Sequence, residues 1–293
     1  PLPPGEHHLN IEKTAKTLIK FLRMTEAEVV AKFVDFHSDA VLIPTPNSNT
    51  PSVYIPGKKG MPLLVAHSDT VWDKPVKPSL DGAVIYSARS KTGIGADDRA
   101  GVALLWALRS SGCGLLICAK EEIGCVGASA VASNAALMDE IGSKYTFLLE
   151  FDRRGSHDFV TYECENADFD TYIWEMFPGF SKASGSFSDI AVLGKACGLA
   201  SANLSIGFRN EHTEAETLDI YDWARTVSYT KSLALDPSIP TFKHICHSMT
   251  GDWFKNDLDA DWAEVARTEN NQPIDTYTDQ DWFDYCNSTG DWK

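Results

Sequence analysis

Four apolar runs along the chain have the composition of buried β-strands. They are MPLLVAH, GLLICAK, YTFLLEF and ANLSIGF. The segments between them, such as DRAGVALLWALRSS and ASAVASNAALMDEI, instead repeat apolar residues at helical spacing. Buried strands that alternate with helices are typical of a sheet covered by helices. The pattern therefore predicts an α/β fold with a mixed, mostly parallel central sheet that is flanked by helices on both faces.

The flanking segments add further elements. Residues 10–36 are periodic enough to be helical, and Thr25 with Glu28 has the spacing of a capping box. The sequence predicts short strands at residues 40–43 and 52–55. It also predicts a strand at AVIYS within the loop-rich segment 71–94. The run TLDIYDWARTVSYTKSLAL predicts one long closing helix.

The composition and net charge of the chain disfavour some classes of binding partner. The chain has 293 residues, 43% hydrophobic content and a net charge of −15. An acidic surface repels nucleic-acid phosphates and anionic membranes, so we expect neither as a partner. No stretch approaches the ~20 apolar residues of a membrane helix. Seven cysteines without a CxxC pair favour a reducing, cytoplasmic setting.

The C-terminal part differs from the rest of the chain. From residue 251 onward, nine Asp and two Glu accompany only two Lys and one Arg, and four tryptophans occur there. We therefore predict a catalytic domain at 1–245 and an acidic, Trp-rich tail at 246–293. The tail either packs on the body or is partly flexible.

Imidazoles and carboxylates stand where the buried strands end. The residues of this kind are His67, Asp97, Asp98, Glu121, Glu122, Asp152 and His212. Because ligands bind at the carboxyl ends of strands in an open α/β sheet, we expect these side chains to converge at one edge. Imidazole nitrogen and carboxylate oxygen are the ligands that zinc prefers beside thiolate. The sequence therefore predicts a metal site there.

Two metals ~3.5–4 Å apart need a bridging ligand between them. One bridging carboxylate, with one His and one carboxylate per metal, can be supplied by His67, Asp97, Glu122, Asp152 and His212. Glu121 then remains as a base for a water molecule. Asp69 can accept a hydrogen bond from the second ring nitrogen of the first histidine. Two divalent ions are expected, zinc by default, with manganese or cobalt as alternatives.

Simpler interpretations exist for each residue. Asp97 and Asp98 have the position of helix N-caps, and Glu150 is a carboxylate on the same strand face as Asp152. His67 is also compatible with a structural role, and His212 with the surface. HICH at 244–247 resembles a metal pattern but lacks a second cluster.

The motifs HSDT, GADDRAG and EEIG, followed by a strand-end Asp and a late His, resemble those of the co-catalytic dinuclear-zinc exopeptidases and deacylases. That group includes peptidase T, leucyl aminopeptidases and acetylornithine-deacetylase-like enzymes. The resemblance implies Asp97 as the bridge, Glu121 as the base and a cis peptide bond after Asp97. It implies that the other metal ligands are His67, Glu122, Asp152 and His212.

The spacing implies a single-domain form of that family. Only 212 − 152 = 60 positions separate Asp152 from His212, and only 97 − 67 = 30 separate His67 from Asp97. Neither interval has room for the large inserted lid or dimerisation domain of the peptidase T branch. We therefore expect the catalytic domain without an inserted domain. The sequence is compatible with a homo-oligomer.

The expected activity is hydrolysis of amide bonds in short peptides, by an aminopeptidase or dipeptidase. The alternative substrate is an N-acyl amino acid, whose carboxylate would need Arg209 or Arg154 as a partner. Asp189 approaches the site from its loop or caps the next helix. An acyl-cyclising relative would use one metal, and a non-enzymatic scaffold would use the tail to bind a partner.

Overall fold

An eight-stranded sheet forms the centre of the computed structural model, which describes residues 10–72, 75–88 and 91–246. The strand order is β1-β2-β6-β3-β7-β10-β8-β9. The strands are β1 (Val41–Ile43), β2 (Ser52–Ile55), β3 (Leu63–His67), β6 (Gly114–Cys118), β7 (Leu148–Arg153), β8 (Asp158–Val160), β9 (Ser181–Lys182) and β10 (Ser201–Ser205).

The four central strands, β6, β3, β7 and β10, run parallel to one another. Their register aligns His67 with Cys118 and Glu150 with Asn203. Strands β2 and β8 join this parallel group in antiparallel orientation. The prediction of a mixed, mostly parallel sheet is confirmed.

Helices cover both faces of this sheet. One face packs against α1 (Ile11–Leu22), α2 (Glu26–Phe36), α3 (Ala96–Ala107), α6 (Ala167–Met176) and α8 (Ile220–Ala234). The other packs against α4 (Val126–Ala132), α5 (Ala135–Lys144) and α7 (Asp189–Cys197). Within β3, Leu64 faces the first layer and Leu63 the second, as the two-residue period of a strand requires. The two-sided burial explains why the strand sequences are apolar throughout.

Two segments predicted as continuous helices are each divided by a capping residue. Residues 10–36 form α1 and α2, and the Thr25 side chain accepts a hydrogen bond from the Glu28 N–H at 3.3 Å while Glu28 bonds back to the Thr25 N–H. This is the predicted capping box. Between α4 and α5, Asn134 Oδ1 accepts from the Leu137 N–H at 3.2 Å. A side chain that bonds the next turn begins a new helix there.

A second, four-stranded antiparallel sheet lies outside the central one and was only partly predicted. Its members are β4 (Pro78–Asp81), β5 (Val84–Ser87), β11 (Phe208–Arg209) and β12 (Thr217–Asp219), in the order β11-β12-β5-β4. The sequence pattern includes residues 217–219 in the closing helix, and this prediction is wrong for these three residues. They pair with β5 instead, and Asp219 caps α8 by accepting from the Tyr221 and Asp222 N–H groups.

The interval between Asp152 and His212 contains only β8, α6, β9, α7, β10 and β11, so no large domain is inserted there. Within the described ranges, no helix combines the length and apolar character needed to span a membrane. The predicted tail at 246–293 lies outside the described residues apart from Cys246, and the HICH segment is described only as far as that cysteine.

Candidate active site

The predicted strand-end residues meet at the carboxyl edge of the parallel strands. His67 is the last residue of β3, Asp152 lies near the end of β7, and Glu121 and Glu122 follow β6. Asp97 comes from the start of α3. His212 is on the loop between β11 and β12, so the second sheet presents it to the first.

Asp97 lies between the two imidazoles. His67 Nε2 is 3.1 Å from Asp97 Oδ1, and His212 Nε2 is 3.1 Å from Asp97 Oδ2. The first imidazole is also 3.3 Å from Asp152 Oδ1, and the second is 2.9 Å from Glu122 Oε2. The site therefore has two halves that share one carboxylate, with one oxygen directed to each half.

The two adjacent aspartates have different surroundings. Asp98 Oδ2 accepts the backbone N–H of His67 at 3.1 Å, and its Oδ1 accepts that of Gly101 at 2.9 Å. The capping interpretation thus applies to Asp98, whereas Asp97 faces the imidazoles. The peptide bond between these two residues is cis, as the resemblance implied.

Glu150 and Asp152, two acids of the same strand, also have different contacts. The Glu150 carboxylate is fully buried and accepts hydrogen bonds from the Ser188 hydroxyl and the Ile190 N–H. Asp152 instead contacts His67, and its own N–H donates to Asn203 Oδ1 at 3.0 Å. The geometry places Asp152, not Glu150, against the imidazole.

Asp69 links the first histidine to the glutamate pair. Its Oδ1 lies 3.3 Å from His67 Nδ1 and accepts the Glu121 N–H at 3.1 Å. Its Oδ2 accepts the Glu122 N–H at 3.2 Å. One buried carboxylate therefore orients the ring of the histidine and the backbone that carries both glutamates.

Glu121 is not among the carboxylates that contact the two imidazoles, which are Asp69, Asp97, Asp152 and Glu122. Its Oε1 accepts a hydrogen bond from the Cys125 thiol at 3.4 Å. Burial raises the pKa of Glu121, the nearby His67 lowers it, and the negative charge of Asp97 raises it further, with a net upward shift. A carboxylate with a raised pKa binds a proton more tightly than an ordinary glutamate does.

The acidic groups of the site carry like charges and therefore repel one another. Burial and the charge of Asp97 raise the pKa of Glu122 to about 7, and the same two effects raise the pKa of Asp152. Hydrogen bonds to Asp97 and Glu122 raise the pKa of His212 to about 11. Like charges this close need a cation between them to be ionised together.

The donor set fits divalent cations. The ligand atoms of His67, Asp97 and Glu122 lie within 4.8 Å of one another, and Glu122 Oε1 is buried without a hydrogen-bond partner among the described residues. Nitrogen and oxygen donors of this kind suit zinc, manganese or cobalt. His67, Asp98 and Asp152 form a similar group. The two hydrogen bonds of Asp98 to backbone N–H groups make it the weaker candidate for a ligand.

Glu216 is a site residue that the sequence analysis missed. Its Oε1 accepts the N–H groups of Ala96 and Asp97 at 2.7 and 3.2 Å, and its Oε2 those of Ile94 and Gly95, each at 2.8 Å. The side chain is 1% exposed. It comes from the loop of His212 and holds the loop of Asp97. The sequence HTEAE contains two glutamates after the histidine, and no local pattern indicates which is buried.

The two arginines predicted to bind substrate form ion pairs at the surface, whereas Asp189 is buried. Arg154 Nη1 lies 2.6 Å from Glu211 Oε1, and Arg209 Nη2 lies 2.8 Å from Asp222 Oδ2. Asp189 is the first residue of α7 and is fully buried. Its carboxylate faces the interior, where burial raises its pKa.

Solved structures share this architecture at low sequence identity. The aminopeptidase PepT of Bacillus cereus superposes with a TM-score of 0.62 at 14% identity, over 77% of this chain and 98% of its own. A tripeptidase of Staphylococcus aureus gives 0.62 at 15%, over 78% and 99%. The aminopeptidase LapA of Legionella pneumophila gives 0.56 at 16%, over 80% and 71%. Neither a protein-family model nor a curated protein sequence matches the chain.

These similarities define the class of the fold. The chain shares the fold of solved aminopeptidases and of a tripeptidase, and the resemblance seen in its motifs is confirmed at the level of the fold.

Proposed function

We propose that this protein hydrolyses amide bonds of short peptides, as an aminopeptidase or dipeptidase that uses two divalent metal ions. The observation that carries the proposal is the position of Asp97, with one oxygen 3.1 Å from each imidazole. A carboxylate shared between two donor groups is the arrangement that a two-metal site needs.

Each half of the site would hold one ion. His67 and Asp152 would bind the first, His212 and Glu122 the second, and Asp97 both. When bound, the ions would polarise the substrate carbonyl and lower the pKa of a water molecule. Asp69 and Glu216 would hold these ligands in place through the hydrogen bonds described above.

Glu121 would act as the proton carrier. Its carboxylate lies next to the ligand set without contacting either histidine, and its raised pKa keeps it a stronger base than an ordinary glutamate. It would accept the proton of the attacking water and donate it to the leaving amine. The hydroxyl of the water thereby joins the carbonyl carbon and its proton joins the leaving amine, so the cleavage of the amide bond is balanced.

The similar structures favour peptides over N-acyl amino acids as the substrate. The deacylase alternative needs a cation to hold the substrate carboxylate, and the two candidates, Arg154 and Arg209, form ion pairs with Glu211 and Asp222 at the protein surface. Solved structures of this fold include an aminopeptidase and a tripeptidase. These names belong to those proteins and agree with the proposal.

The experiment is a metal analysis combined with a substrate screen. We expect about two ions per chain, hydrolysis of dipeptides, tripeptides or aminoacyl-p-nitroanilides, and little turnover of N-acyl amino acids. EDTA should abolish hydrolysis and zinc, manganese or cobalt should restore it. Preferred turnover of N-acyl amino acids would replace the peptidase by the deacylase, and a metal-loaded protein that cleaves no amide would contradict both.

A further inference from the structure

Glu121 lies on a sharply bent loop between β6 and α4. Three residues of this loop, Lys120, Gly124 and Cys125, have positive φ angles of 61°, 101° and 51°. Glycine adopts such angles freely, whereas a residue with a side chain adopts them rarely and at a cost in free energy. Residues held in this conformation are frequent at functional sites. The cysteine at the end of the loop is therefore a candidate for a role beyond packing.

Cys125 holds both the backbone and the side chain of Glu121. Its N–H donates to the Glu121 carbonyl oxygen at 2.9 Å, and its thiol donates to Glu121 Oε1 at 3.4 Å. Among the residues that the structure describes, this thiol is the one hydrogen-bond donor to that carboxylate. The two bonds close the same turn, so they fix the carboxylate relative to its own main chain.

The surroundings of the thiol keep it a donor. Cys125 is fully buried at the start of α4, in the apolar layer that this helix shares with α7. Burial raises the pKa of the Cys125 thiol, and the charges that Asp189 and Glu121 carry when ionised raise it further. A thiol with a raised pKa keeps its proton at neutral pH and is a poor nucleophile. Its role is therefore that of a hydrogen-bond donor and not of a reactive thiolate.

Asp189 explains why the single hydrogen of the thiol goes to Glu121. Asp189 is fully buried at the start of α7, and neither of its carboxylate oxygens has a hydrogen-bond partner among the described residues. Burial and the charges of Glu150 and Glu121 raise the pKa of Asp189, which favours its neutral form. An ionised carboxylate would compete for the hydrogen of the thiol, and a neutral acid is the weaker acceptor.

We propose that Cys125 is a positioning residue, whose thiol holds the Glu121 carboxylate in the orientation that proton transfer requires. The inference rests on the proposed function, in which Glu121 is the base. A glutamate side chain rotates about several bonds, and a base acts efficiently only when its oxygen is held in place. The bond to Oε1 supplies this restraint and leaves Oε2 to accept the proton.

Cys125→Ala and Cys125→Ser separate positioning from packing. Both variants leave space in the core, and serine also buries a more polar group, so a packing role predicts that serine is at least as damaging as alanine. A positioning role predicts the reverse order, because the serine hydroxyl still donates to Glu121. With dipeptide substrates we expect kcat to fall about tenfold in Cys125→Ala and about two- to threefold in Cys125→Ser, with KM within about twofold of the wild type. A kcat in Cys125→Ser equal to or below that of Cys125→Ala would overturn the proposal.

The matched control is Cys113→Ala. Cys113 is also a buried cysteine, 6% exposed, but it precedes β6 at the end of the strand that is remote from the glutamate pair. Its replacement removes the same atom from the core, and kcat should stay at the wild-type value. Equal losses of kcat in Cys113→Ala and Cys125→Ala would assign the effect to core packing and overturn the proposal.

Infrared absorption of the S–H bond tests the contact without turnover. The difference spectrum between the wild type and Cys125→Ser isolates the S–H stretching band of Cys125. Glu121→Gln replaces a charged acceptor by an amide, so the hydrogen bond weakens and this band should move to higher frequency. If Glu121→Gln leaves the band in place, the proposal is wrong even for an active peptidase. A protein that shows the shift but hydrolyses no amide keeps the contact and loses the proposed function.

Discussion

Glu216 Oε1 accepts the backbone N–H of Ala96 at 2.7 Å across 120 positions of sequence. Through this carboxylate, the loop of His212 is fixed to the loop of Asp97. A Cβ atom at Gly93 would collide with Glu216 Oε2, so the glycine is what lets the carboxylate approach the loop. The separation of the two proposed metal positions therefore depends on a residue that binds neither.

Glu216→Gln should weaken metal binding without unfolding the protein. The amide replaces one acceptor oxygen by an NH₂ group that faces backbone N–H donors, so the two loops are no longer held together. We expect a loss of ~10–100-fold in metal affinity, the range for residues that support ligands. Titration of the metal-free protein with zinc measures it. Glu214→Gln, on the same loop but exposed, is the matched control, and an equal loss there would refute the role of Glu216.

Glu121→Gln should retain both metals and lose turnover. The amide cannot accept a proton at neutral pH, and kcat should fall by ~10²–10⁴-fold. Metal content is measured alongside, because an unchanged stoichiometry shows that the residue is not a ligand. The control is Glu163→Gln, which alters an exposed glutamate paired with Lys195. Wild-type kcat in Glu121→Gln would exclude this residue as the base.

Asp152→Asn should lose one metal per chain, and Glu150→Gln should keep both. The first carboxylate contacts His67, whereas the second is bonded to Ser188 and Ile190. Metal analysis after dialysis distinguishes the two. The opposite result would show that the strand presents its other acid to the site.

Removal of metal should lower the melting temperature. Without a cation the clustered carboxylates repel one another and hold protons, as the pKa of about 7 for Glu122 indicates. A ligand present at 1,000 times its Kd stabilises the folded state by ~4 kcal/mol per site, so the shift should be several degrees. Scanning calorimetry with and without EDTA measures it. An Asp97→Ala variant should show a much smaller shift, and equal shifts would mean that metal binds elsewhere.

The sequence predicted the features that depend on local pattern. The central strands were visible as apolar runs, and the chemistry at their ends followed because parallel strands bring their carboxyl ends to one edge. The capping box at Thr25 and Glu28 was equally local. The features that the sequence did not predict depend on contacts between segments that are distant along the chain. Strand β12 exists because it pairs with β5, and Glu216 is buried because residues 94–97 present four N–H groups to it.

The central claim is that two cations share Asp97 between the half-sites of His67 and His212. Anomalous diffraction from zinc-soaked crystals tests it most directly. The account predicts two peaks ~3.5–4 Å apart, one beside each imidazole, with an Asp97 oxygen directed at each. A single peak, or peaks remote from Asp97, would contradict it.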